Sequence, residues 1–151
     1  MKYYLGIDLG GTFIKGGVVD ENGKIVVSDK VATEKEKGAE GVMDNVAALC
    51  DKLVSAAGLE KKDICGAGMG VPGMINGIDG IVVVSNNLGW LHVGMVEGLK
   101  KRTGYDFRIT NDANAAALGE ATYGVGRSYE DSILITLGTG IGGGIILGNK
   151  I

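Results

Sequence analysis

Glycine, and where it falls, constrains this chain more than any other feature. Of 151 residues, 28 are glycine and one is proline, whereas ordinary glycine usage is about 7%. The excess has no collagen-like period and is not low in complexity. It clusters at 6–17, 66–80 and 138–148, each time beside a Val/Ile-rich run. Glycine beside strand-forming residues marks tight turns, or places where the backbone approaches another group closely. The chain is therefore expected to be built on strands joined by glycine turns.

Hydrophobic spacing fills in the rest. KYYLGIDLG (2–10), TFIKGGVVD (12–20) and KIVVSDKVAT (24–33) read as three strands of an antiparallel meander. EKEKG (34–38) reads as a charged, solvated connection. The segment 38–58 carries apolar residues at 42, 43, 46, 49, 50, 53 and 54, which is helical spacing, with Gly58 as its C-terminal stop. DICGAGMGVPGMI (63–75) is a buried strand running into a glycine turn, and IVVVSNNLGW (81–90) is a β-rich segment ending in a polar loop. HVGMVEGLKKRTG (92–104) is predicted as a second helix, DFRIT (106–110) as a strand and NDANAAALGEATYG (111–124) as a third helix. Antiparallel strands followed by alternating helix and strand point to an α/β layered fold with a mixed sheet.

A repeat sets the domain organisation. ILITLGTGIGGGIIL (133–147) aligns with LGIDLGGTFIKGGVV (5–19) at a shift of 128, so that Ile135 meets Ile7, Gly138 meets Gly10 and Gly144 meets Gly16. Two glycine-turn hairpins of one design suggest a duplicated architecture, each presenting its turn to a shared cleft. Residues 1–127 are expected to form one lobe. Residues 128–151 would be the first hairpin of a second lobe that continues beyond this chain.

Composition narrows the function classes. Net charge is −3 with acidic and basic residues interspersed, and charged residues are 22% of the chain. No basic patch suggests nucleic acid, and no apolar run is long enough for a membrane span. Asp8 and three glycines interrupt the apolar N-terminus, so no signal-peptide core is present, and the chain is read as cytoplasmic. Cys50 and Cys65 lack metal or disulfide spacing and are expected to be reduced and buried.

The glycine turns and one helix start carry the candidate chemistry. DLGGT (8–12), with Gly10 and Gly11 at its centre, can lay successive backbone N–H groups around an anion. Asp8 is available to a metal-bound water, Thr12 to a phosphate oxygen, and Lys15 is a nearby cation. GTGIGG (138–143) offers a second cradle through Gly138, Thr139 and Gly140. Neither turn matches the P-loop or the dinucleotide fingerprint. In NDANAAALGEA, Asn111 is suited to cap the helix, and Asp112 then falls in its first turn, where the helix dipole favours a carboxylate. The alanines at 115–117 allow close packing, so that start is rigidly held. A carboxylate so placed can take a proton from an attacking alcohol, help typically worth about 10²–10⁴ in rate.

IDLGGT-x-IKGGVVD, GVPG, NNLGW, NDANAAALGEA and LGTGIGGGIILG, in this order, resemble the ROK family of repressors, open reading frames and kinases, and its bacterial glucokinases in particular. The likeness covers essentially the whole chain. It implies an actin-like, ribonuclease-H-like fold in two lobes, and transfer of the ATP γ-phosphate to a hexose hydroxyl with Mg²⁺. It further implies Asp112 as catalytic base, with Gly73, Asn87, Asn111 and Asp112 holding sugar hydroxyls. Asp8, Gly10, Gly11, Thr12, Gly138, Thr139 and Gly140 would face phosphates and metal. The full-length protein is implied to be a homodimer, and a structural zinc motif would lie past Ile151, so no zinc ligand is expected in this chain. Where the family often has proline before the sugar-loop asparagine, this chain has Asn86; either Asn86 or Asn87 could then reach the sugar, and Asn87 is preferred. His92 is assigned to surface or packing; Trp90 could border the sugar, but a core or loop-anchor role is preferred. No helix-turn-helix precedes Lys2, which disfavours the DNA-binding branch. Two other readings stay open: a non-catalytic sugar-sensing regulator, and a self-sufficient small domain of this length.

Overall fold

The computed structural model describes residues 1–138 and 140–151. Three strands open the chain, β1 (Tyr3–Leu9), β2 (Phe13–Asp20) and β3 (Ile25–Ala32), followed by α1 (Gly38–Ala56). Next come β4 (Ile64–Val71), β5 (Met74–Asn76), β6 (Ile81–Ser85), β7 (Trp90–Gly94) and α2 (Met95–Thr103). β8 (Phe107–Asn111), α3 (Asp112–Thr122), β9 (Ser132–Leu137) and β10 (Ile141–Ile146) complete it. The main sheet has the order β3-β2-β1-β4-β8. Its first three strands form the expected antiparallel meander, while β4 and β8 run parallel to β1. This is the expected α/β architecture with a mixed sheet.

Strand alternation divides the sheet into two unlike faces. Leu5, Ile7 and Leu9 of β1 stand level with Val18, Gly16 and Ile14 of β2, and Leu5 and Ile7 with Ala67 and Met69 of β4. All lie on the face covered by α1, and the large ones are buried. Every apolar position read in α1 is buried, including Val42, Val46, Leu49 and Leu53. Each such side chain contributes about 1.5–3 kcal/mol on leaving water. α1 stops as expected: Gly58 takes a φ of 68°, its amide donates to Ser55 O, and the Leu59 amide donates to Val54 O. That is the glycine-terminated helix end that satisfies the last carbonyls. At Gly16 a β-carbon would lie 2.9 Å from the terminal methyls of both Ile7 and Leu53, so glycine lets α1 sit this close to β2 without displacing them.

The other face carries glycine and polar residues: Gly6 and Asp8 on β1, Lys15 and Gly17 on β2, Gly68 and Gly70 on β4, Arg108 and Thr110 on β8. α3 lies across part of it. The β9–β10 hairpin packs on α3 in turn, with Gly142 against Ala113 and Gly144 against Ala117. Its outer row, Ile133, Ile135, Leu137, Ile141 and Ile145, is exposed.

Two expectations are corrected. Residues 92–94 are strand rather than helix: β7 pairs with β6 from Ser85↔Trp90 to Ile81↔Gly94, and α2 begins at Met95. The local spacing is helical, but pairing with the β-branched IVVVS run overrides it, and His92 has a φ of 51°, outside any right-handed helix. Cys65 is exposed rather than buried: it is the second residue of β4, and strand alternation turns it away from the side on which Ile64 is buried. Cys50 is buried as expected, and that burial pushes its thiol up to about 12. Among the described residues, no helix is long and apolar enough to cross a membrane.

Candidate active site

β1, β4 and β8 are parallel, so their carboxyl ends emerge on one edge of the sheet, where ligands bind in open α/β folds. Each end leads into a segment singled out from the sequence: β1 into Gly10–Thr12, β4 into Pro72–Gly73, and β8 into Asn111 and Asp112.

Register fixes how close these segments come. Asp8 pairs with Gly70 across β1 and β4, so the two share a face at the usual strand spacing of about 4.8 Å. A β-carbon on Gly70 would lie 3.3 Å from the Asp112 Cα. Asp112 therefore starts α3 directly above Gly70, one strand over from Asp8, and its side chain is exposed. Lys15 stands opposite Asp8 on β2. Both belong to a groove of about 780 Å³ between the sheet and α3, lined also by Gly70, Arg108, Asn114 and Ala115. Arg108 is not among the residues the sequence singles out. Alternation along β8, with Phe107 and Ile109 buried on either side of it, is the signal that places it on this face.

Asn111 caps α3 as expected. Its Oδ1 accepts from the amides of Ala113 and Asn114, and its Nδ2 donates to Gly73 O at 3.0 Å. One side-chain N–H of Asn111 is left for a ligand. Gly73 has a φ of 122°, and a β-carbon there would run into Val84 O and the Ser85 backbone. The turn that follows Ser85 carries Asn86 and Asn87, both exposed, with Leu88 buried as its anchor. Gly73 thus sits between Asn111, which holds its carbonyl, and the end of β6, with Asn87 two residues beyond Ser85. Trp90, level with Ser85, is buried as a loop anchor; His92 is exposed.

The second glycine turn points the same way. β10 runs alongside α3 with Gly142 near Ala113 and Gly144 near Ala117. Moving back along β10 towards Gly140 and Gly138 therefore leads to the end of α3 that bears Asp112. Gly138 N donates to Gly140 O across that turn. Thr139 lies outside the described residues. Among the described residues, no three His, Cys, Asp or Glu side chains cluster as a metal site. The chemistry on offer is one exposed carboxylate at a helix start, a second at a strand end, and two backbone turns rich in N–H groups.

Comparison with known proteins places the chain in a family. The ROK family profile matches residues 4–151. A glucokinase of Streptomyces coelicolor is 40% identical over 151 residues, covering all of this chain and 45% of that protein. A ROK glucokinase from Streptomyces griseus, solved with glucose and AMPPNP, superposes with a TM-score of 0.89 at 40% identity, over 98% of this chain and 45% of that one. The xylose repressor of Caldicellulosiruptor bescii is 34% identical over 151 residues, 97% of this chain and 37% of that protein. The chain thus spans about 45% of the length of the glucokinases it matches.

Proposed function

Because the chain belongs to the ROK family, we propose that residues 1–127 form the amino-terminal lobe of an ATP-dependent hexose kinase, with glucose as acceptor. Residues 128–151 then open its second lobe. The observation that carries this reading is the placement of Asp112. It is exposed, held at the start of a capped helix, and lies above Gly70, one strand from Asp8. An acid sealed in apolar packing, or on the far side of the sheet, could not serve.

In this mechanism Asp112 accepts the proton of the sugar hydroxyl as its oxygen bonds to the γ-phosphorus. The bond from that phosphorus to the bridging oxygen breaks, and ADP leaves. Asn87 and the remaining N–H of Asn111 orient sugar hydroxyls, while Gly73, fixed by Asn111, keeps the floor beneath them free of side chains. The amides of Gly11 and Thr12 and the Lys15 ammonium face phosphate oxygens, and Gly138–Gly140 add a second set of amides. ATP with Mg²⁺ supplies the transferable phosphoryl group and part of its charge neutralisation. Asp8 suits the metal through a water, since Mg²⁺ typically keeps several waters and uses one or two carboxylates. Catalysis is then mainly positioning and electrostatics.

The test uses the full-length polypeptide that carries this chain. Asp112→Asn should lower glucose-phosphorylating turnover by about 100-fold or more, with circular dichroism and sugar affinity retained; turnover within a few-fold of wild type would remove Asp112 as the base. The likeness to a xylose repressor supports a second reading, a sugar-sensing regulator. Titration with ATP separates the two, because a pure sensor has no need of the nucleotide.

A further inference from the structure

The DLGGT turn is held from behind by a residue outside every motif. Thr33 directly follows β3 and is buried, with 0% relative exposure. Its Oγ1 donates to Gly10 O at 2.7 Å, and its amide donates to Thr12 O at 2.9 Å. The turn closes on itself as well, Gly10 N donating to Phe13 O at 3.0 Å. Thr33 is anchored in turn by Asn45 of α1, whose Nδ2 lies 3.3 Å from Thr33 O.

These bonds decide which way the turn's peptides point. In a trans peptide the carbonyl and the following N–H lie on opposite sides of the chain. Drawing the Gly10 carbonyl inwards to Thr33 therefore turns the Gly11 N–H outwards. The Gly11 and Thr12 amides take no partner among the described residues, and both residues are exposed. Glycine at 10 and 11 would otherwise let this peptide flip freely, since neither side chain resists it.

We infer that Thr33 is a positioning residue for nucleotide binding: its hydroxyl fixes the Gly10–Gly11 peptide so that the Gly11 amide is presented to a phosphate group. The inference rests on the phosphate-binding role proposed above for this turn. Thr33 touches neither phosphate nor sugar, and its effect should fall on the nucleotide alone.

The test compares Thr33→Val, which keeps the shape but loses the donor, with Thr33→Ser, which keeps the donor, both in the full-length polypeptide. Thr33→Val should raise the KM for MgATP about tenfold, the scale of one lost hydrogen bond. The KM for glucose should stay within about twofold, and Thr33→Ser should match wild type in both within the same margin. If Thr33→Val does not fold, Thr33→Cys, a weaker donor of similar shape, takes its place and should give a nucleotide KM clearly above that of Thr33→Ser. A nucleotide KM unchanged by loss of the donor, or nucleotide and sugar KM rising together, would overturn the inference and leave the kinase reading standing. Failure of the wild-type protein to bind MgATP would overturn both.

Discussion

At the scale of single residues, two glycines illustrate how backbone geometry separates tolerance from damage. Gly73 has a left-handed φ of 122° and no room for a β-carbon, whereas Gly68 has open space on the polar face of β4. Gly73→Ala should cost about 1–3 kcal/mol in urea denaturation. Gly68→Ala should stay within about 0.5 kcal/mol of wild type. The cysteines divide in the same manner. Cys50 is buried with its thiol pushed up to about 12, and alkylation requires the thiolate. Iodoacetamide on the native protein should therefore label Cys65 and leave Cys50 untouched until urea is added, a difference that peptide mass spectrometry reads directly.

At the scale of elements, α3 is where capping, packing and chemistry meet. Asn111→Ala removes the one oxygen that accepts from the Ala113 and Asn114 amides, of which Ala113 keeps Asp112 Oδ1, and the bond to Gly73 O. It should cost about 1–2 kcal/mol and loosen the Gly73 turn as well. Gly144→Val would drive a branched side chain into Ala117 and the Ala113 carbonyl. Amide exchange in 132–146 should then quicken while α1 stays protected. α1 and α3 were legible because their signals are local: apolar spacing, a capping asparagine, a glycine stop. The start of α2 was not, because residues 92–94 obey a partner strand, with Val93 paired to Val82 and Gly94 to Ile81, rather than their own spacing. Asp112 could be read from its own helix start. Its nearness to Asp8 could not, because that depends on β4 lying between β1 and β8, an order no local pattern encodes. Thr33 left no trace in the sequence; one hydroxyl ahead of a charged segment looks like any strand end until its distance to Gly10 O is known.

At the scale of the molecule, the β9–β10 hairpin presents Ile133, Ile135, Leu137, Ile141 and Ile145 to solvent on one side. A contiguous apolar face of this kind drives association when nothing covers it. The 151-residue chain should show a mass that rises with concentration in light scattering, and Ile135→Lys with Ile145→Lys should return it towards 15.5 kDa. The inner side of the same hairpin has a different consequence. Gly142 and Gly144 rest on Ala113 and Ala117, so backbone meets helix with almost no side chain between them. Long side chains act as springs that absorb small displacements; hydrogen and methyl groups do not. The span from the second glycine turn to the helix start that bears Asp112 is therefore a rigid gauge, set by the thickness of the polypeptide itself, and any shift of the hairpin along α3 would be transmitted undamped to that carboxylate.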